Sequence, residues 1–70
     1  MIQIFCERLK ELRTEAKLST KELSAILKVN HSTICRWENG IMVPSIEHLY
    51  NIAIYFGVSS DYLIGIEDYK

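Results

Sequence analysis

The sequence predicts an all-α domain of five short helices, and three observations carry that prediction. An apolar residue, then Ser or Asn, then an apolar residue four further on recurs at Leu18-Ser19…Leu23, Val29-Asn30…Ile34, Pro44-Ser45…Leu49 and Val58-Ser59…Leu63. In each, a side-chain oxygen can cap the orphan N–H groups of a helix start while the apolar pair clamps the entering chain. Apolar residues then recur at spacings of three and four, the period of one helical face. No β-hairpin signature appears. Seventy residues make a single domain, 1–70, near the lower limit at which a hydrophobic core supports a fold unaided.

The first helix spans about residues 3–17, with Phe5, Leu9, Leu12 and Ala16 on one stripe. Its other face, Glu7, Arg8, Lys10, Glu11, Arg13 and Glu15, reads as a solvated mixture of charges. The second spans about 20–27, where Ser19 and Glu22 form a capping box. The third spans about 31–38 behind Asn30 and stops at Gly40. The fourth, about 46–56, carries a buried stripe of Ile46, Leu49, Ile52, Ala53 and Phe56 and stops at Gly57. The fifth, about 60–64, has Asp61 in its first turn, complementing the helix dipole, and stops at Gly65.

Composition narrows the function classes. With 49% apolar and 24% charged residues the chain suits a compact soluble domain. No apolar run reaches the ~18 to 20 residues of a membrane span, so a cytoplasmic location is expected. Cys6 and Cys35 are too few and too far apart for a disulfide framework. With His31 and His48 they lack the paired spacing of a structural zinc site, so no metal and no cofactor is expected. A Gly-rich phosphate loop and a paired acid/base set are both missing, so the chain does not read as an enzyme, and no small-molecule ligand is expected. The net charge of −1 is polarised. Residues 1–40 carry seven Lys and Arg against five Glu, whereas residues 41–70 carry Lys70 against Glu47, Asp61, Glu67 and Asp68.

Two helices separated by the three residues Lys28-Val29-Asn30 have helix-turn-helix spacing, in which the second helix lies in the DNA major groove. Leu23, Leu27, Val29, Ile34 and Trp37 can wedge the pair at a fixed angle, and Ser24 is small enough for close approach. The chain from Arg8 to Gly65 resembles the Cro/phage-repressor, or XRE, type of helix-turn-helix protein. The resemblance rests on RLKELR at Arg8–Arg13, LSTKELS at Leu18–Ser24, VNHSTICRWENG at Val29–Gly40, PSIEHL at Pro44–Leu49 and FGVSSDYLIG at Phe56–Gly65. It implies a five-helix, lambda-repressor-like domain that binds operator DNA, generally as a dimer, to regulate transcription. By position it places His31, Ser32, Thr33 and Arg36 at base edges, and Thr20, Lys21, Asn30 and Asn39 at phosphates. Three features depart from the family pattern. Thr20 replaces a common Gln, Lys28 a common Gly, and Ile41-Met42-Val43 a loop that is often basic.

Other side chains carry two readings. His31 either reads a base or occupies an exposed first turn; Arg36 either reads a base or pairs with a carboxylate on its own surface. Trp37 reads as core, Glu38 as a structural partner for a nearby Arg or backbone group, and His48 as helix surface. Ile54, Tyr55, Tyr62, Ile64, Ile66 and Tyr69 add apolar surface, and all but Tyr69 form the expected homodimer interface. With five residues after Gly65, no sensory domain is expected. The expected function is a DNA-binding repressor. The alternative is a protein-interaction module on the same fold, an antitoxin or adaptor, using Ile41–Val43 and the fourth helix.

Overall fold

Each helix is closed by the same device, and that device sets where the chain turns. The computed structural model describes residues 1–69, with α1 at Ile2–Glu15, α2 at Thr20–Leu27, α3 at His31–Glu38, α4 at Ile46–Phe56 and α5 at Ser60–Ile64. After each helix one residue takes a left-handed conformation: Lys17, Lys28, Gly40, Gly57 and Gly65, with φ between 59° and 92°. The residue that follows is apolar every time (Leu18, Val29, Ile41, Val58, Ile66). It donates its N–H to the carbonyl five residues back, at 2.8–3.1 Å. That is a Schellman closure, in which orphan carbonyls are satisfied; Leu18, Val29 and Val58 also pack on the core and pin the exiting chain. Gly40, Gly57 and Gly65 are therefore the stops their positions predict. Lys17 corrects the first boundary: by leaving the helical region it ends α1 at Glu15 and leaves Ala16 exposed, outside the apolar stripe.

Three of the four predicted caps form. Ser19 Oγ accepts from the Glu22 N–H at 3.0 Å and Glu22 Oε1 accepts from the Ser19 N–H at 2.8 Å, completing the capping box. Ser45 and Ser59 accept from the N–H groups of His48 and Tyr62 at 3.2 and 3.0 Å. Asn30 is the exception. Its backbone is extended as a cap requires, but its side chain makes no capping bond. The chain is already held there by the closure of α2, and the Asn30 amide stays at the exposed surface.

Phe5, Leu9 and Leu12 of α1 meet Leu23 of α2, Ile34 and Trp37 of α3, Ile52 and Ala53 of α4, and Leu63 of α5 in one core. Each large aliphatic or aromatic side chain removed from water contributes about 1.5–3 kcal/mol. Helix α3 packs on α1 and α2, α5 on α1 and α4, and α4 also on α2. Ile46 lies outside this core at 87% exposure. The buried side of α4 is Leu49, Ile52, Ala53 and Phe56; Ile46, Tyr50 and Ile54, each four residues apart, form the exposed row beside it.

The charged face of α1 is only partly solvated. Arg8 reaches across the fold to the C-terminal segment, donating to the carbonyls of Tyr62 and, at 2.6 Å, Glu67. Its guanidinium lies 4.2 Å over the Tyr62 ring and 3.9 Å from Asp68. Ser59 holds Glu67 from the other side at 2.8 Å. Together these bonds fasten residues 66–68 against α5. Lys70, the single base of the C-terminal half, lies outside the described residues.

Candidate nucleic-acid interface

Helix α3 has two faces with different tasks. Ile34 and Trp37 are 0% and 1% exposed and fix its inner face in the core beside Leu23, with Leu27 and Val29 packed at the edge. Its far end is held by Arg13 and Glu38. Arg13 Nε donates to Glu38 Oε2 at 2.6 Å, Nη2 to Oε1 at 3.1 Å, and Nη1 to the Leu18 carbonyl at 2.8 Å. This forked pair ties α1, the α1–α2 turn and the last turn of α3 together. The hydrogen bonds that Arg13 donates to Glu38 hold its guanidinium above its ordinary pKa, against the opposing effect of burial. Glu38 thus takes the structural role its position predicts, with an Arg that reads as solvated in the sequence.

The outer face carries the predicted reading residues. His31, Ser32 and Arg36 are exposed, whereas Thr33 and Cys35 are half-buried. Arg36 makes no ion pair among the described residues, so the carboxylate-paired reading finds no partner there. His31 is not free: its Nε2 lies 2.7 Å from Thr20 Oγ1 and 3.6 Å from Cys35 Sγ. The bond joins the first residue of α2 to the first residue of α3. It engages the hydroxyl that the sequence assigns to phosphate.

The other phosphate candidates flank this face. Lys21 is exposed on the first turn of α2, Asn30 is exposed before α3, and Asn39 is exposed after it. Because Asn30 is not used as a cap, its amide keeps its full hydrogen-bonding capacity. Lys28 holds the turn at φ 59°, a left-handed conformation that favours Gly. His48, predicted at the surface, is half-buried instead. Its ring lies 5.4 Å from that of Trp37, and its Nδ1 is 3.2 Å from Ser45 Oγ. The Trp37 N–H is buried without a hydrogen-bond partner among the described residues.

The apolar C-terminal surface is smaller than the sequence suggests at one position and larger at others. Tyr62 belongs to the core at 7% exposure, its ring covered by Arg8, so it is withdrawn from the expected dimer face. Ile64 is half-buried. Ile54, Tyr55 and Ile66 are 64%, 46% and 70% exposed, and they are joined by Ile46 and Tyr50, which the sequence reading did not place there. The loop after α3 is likewise divided: Met42 packs on the core while Ile41 and Val43 stay exposed. No group of three or more His, Cys, Asp or Glu side chains among the described residues could hold a metal ion. No helix among them is long and apolar enough to cross a membrane.

Comparison with known proteins agrees with this geometry. The helix-turn-helix family profile matches residues 9–63, from the middle of α1 into α5. The chain is 36% identical over 64 residues to the HTH-type transcriptional activator BcrR of Enterococcus faecalis, covering 91% of this chain and 31% of that protein. It is 35% identical over 65 residues to the HTH-type transcriptional regulator DdrOP3 of Deinococcus deserti, covering 91% and 50%. Among solved structures, FeII HppE in complex with substrate superposes with a TM-score of 0.81 at 30% identity, covering 90% of this chain and 37% of that one. The chain thus spans between about a third and a half of the length of these proteins. With a helix-turn-helix in place at α2 and α3 and the family profile covering most of its length, the chain belongs to the XRE-type helix-turn-helix family of DNA-binding transcriptional regulators.

Proposed function

We propose that this protein is a sequence-specific regulator of transcription that binds double-stranded DNA in the cytoplasm, acting as a repressor on a roughly palindromic operator. The observation that carries this reading is the division of α3. Its inner face is locked by Ile34, Trp37 and the Arg13–Glu38 fork, and its outer face offers His31, Ser32 and Arg36 to solvent. A rigid helix with donors and acceptors on one side fits the major groove. His31, Ser32, Thr33 and Arg36 then read base edges, Arg36 being suited to guanine. Lys21, Asn30, Asn39 and the first backbone amides of α2 hold phosphates and set the register.

Two subunits would place two copies of α3 about 34 Å apart on successive major grooves. Ile54, Tyr55 and Ile66, extended by Ile46 and Tyr50, supply apolar area for that association. Selection from random duplexes in about 50 mM salt tests the whole reading. The expected result is a two-fold consensus with half-sites about 10–10.5 base pairs apart, lost on Arg36→Ala. No enrichment at any salt concentration ends it.

The exposure of Ile41, Val43 and Ile46 favours a second reading, a protein-interaction module such as an antitoxin or adaptor. His31→Ala combined with Arg36→Ala separates the two. A DNA reader loses its sequence preference, whereas an interaction module keeps its partner.

A further inference from the structure

Thr20 and Cys35 converge on one nitrogen of His31. The hydroxyl lies 2.7 Å from Nε2 and the thiol sulfur 3.6 Å from it, one from each side of the helix-turn-helix. An imidazole nitrogen lone pair is a far better acceptor than a hydroxyl oxygen, so the favoured arrangement is O–H donating to Nε2. The separation agrees: it is typical of hydroxyl donors and shorter than the usual ~2.9–3.0 Å of N–H donors. With Nε2 accepting, the neutral ring carries its proton on Nδ1. Nδ1 has no partner among the described residues, and His31 is exposed at the first position of α3.

We propose that Thr20 is a positioning residue for His31 rather than a phosphate contact. It sets the ring's tautomer so that α3 presents Nδ1–H as a donor. Such a ring selects a base edge that offers an acceptor, namely guanine N7 or O6, adenine N7 or thymine O4. It rejects the N4 amino edge of cytosine, which can only donate. The half-buried Cys35 sulfur forms the side wall that keeps the ring against Thr20. The choice of base rests on the DNA-binding reading above, whereas the Thr20–His31 pairing does not need DNA at all.

The experiment therefore has two arms. In the free protein, nitrogen-15 NMR of the histidine ring is expected to show Nδ1–H in the wild type and in Thr20→Ser. In Thr20→Val, which keeps the shape and removes the donor, it is expected to show a shift towards Nε2–H. With the selected operator, Thr20→Val is expected to reduce discrimination at a single base pair by about five-fold, the worth of one ordinary hydrogen bond. Affinity for unrelated duplexes is unchanged, and Thr20→Ser restores the preference. A loss of affinity shared by all duplexes, with a salt dependence shallower by about one phosphate, makes Thr20 a phosphate contact and overturns the proposal. A wild-type ring protonated at Nε2, or one indifferent to Thr20→Val, also overturns it. If the wild type selects no DNA sequence, the DNA-binding reading fails, and the NMR arm alone decides the pairing.

Discussion

Replacing Glu38 with Ala removes one side of the fork that anchors α3, and its cost can be worked from the geometry. Two charge-assisted bonds of 2.6 and 3.1 Å are lost, between side chains that are 13% and 6% exposed. Removing one partner of a well-buried pair costs about 3–5 kcal/mol, because the other charge is left stranded. Arg13 keeps its bond to the Leu18 carbonyl and some contact with water, which lowers the figure to about 2–3 kcal/mol. A domain of this length has a total stability of roughly 4–10 kcal/mol. The melting temperature should therefore fall by on the order of 15 °C.

Replacing the pair together, Arg13→Met with Glu38→Leu, should come within about 1 kcal/mol of the wild type, since no charge is then buried alone. Circular dichroism through heating and urea titration of the two single variants and the double variant closes the cycle. The pH dependence has a definite sign. A cation whose pKa is raised on folding contributes stability that is full below its unfolded value, far above neutral pH for an Arg, and is lost only as pH rises through the folded value. Arg13 should therefore add no slope between about pH 6 and 9. A Glu38→Ala melting temperature within about 3 °C of the wild type would refute the reasoning, since water would then be replacing the carboxylate without penalty.

The left-handed lysines should be improved by glycine. Lys28→Gly and Lys17→Gly are each expected to raise stability by about 0.5–1 kcal/mol, read by the same denaturation, with a decrease counting against the closure described above. Gly65→Ala should act in the opposite direction. At φ 92° a new Cβ is strained and sits 2.8 Å from Ile4 Cδ1, so a loss of about 1–2 kcal/mol is expected; a neutral result would mean that α5 shifts freely on α1. Ile54→Glu places a charge in the exposed apolar row and should leave the melting temperature of the monomer within about 2 °C. Sedimentation of the DNA complex should then show the two half-sites filling one subunit at a time without cooperativity, whereas paired loading as in the wild type would place the dimer contact elsewhere.

What the sequence disclosed follows the range of the interactions involved. Ser19, Ser45 and Ser59 are legible because a cap bonds the backbone three residues away, within one glance along the chain. Gly40, Gly57 and Gly65 are legible because glycine is the ordinary left-handed residue. Lys17 performs the same task without advertising it, and the end of α1 moves accordingly. The outer face of α3 follows from helical periodicity once Ile34 and Trp37 are assigned to the core. Arg8 and Arg13 were hidden for a different reason. Their partners lie 54 to 59 and 25 residues away, and some are backbone carbonyls, which have no sequence signature. Tyr62 was misplaced with them, since only the arginine arriving from α1 covers its ring.

These long-range arginine contacts bear on the electrostatics of DNA binding. The N-terminal half looks basic when its side chains are counted, but Arg13 is paired with Glu38 and Arg8 is turned to the C-terminal segment. That leaves Lys10, Lys17, Lys21, Lys28 and Arg36, of which only Lys21, Lys28 and Arg36 lie on α2, α3 and the turn between them, and the loop after α3 is apolar. Affinity that rests on counterion release grows with each phosphate neutralised, so on the proposed reading the few cations of the helix-turn-helix would hold DNA weakly at physiological salt. Joining two subunits makes the second half-site an intramolecular event and multiplies that weak hold without adding a charge. The exposed row of Ile46, Tyr50 and Ile54 and the scarcity of free cations therefore belong to one argument: under the DNA-binding reading proposed above, so few charges favour a partner copy, and the apolar surface offers somewhere to put one.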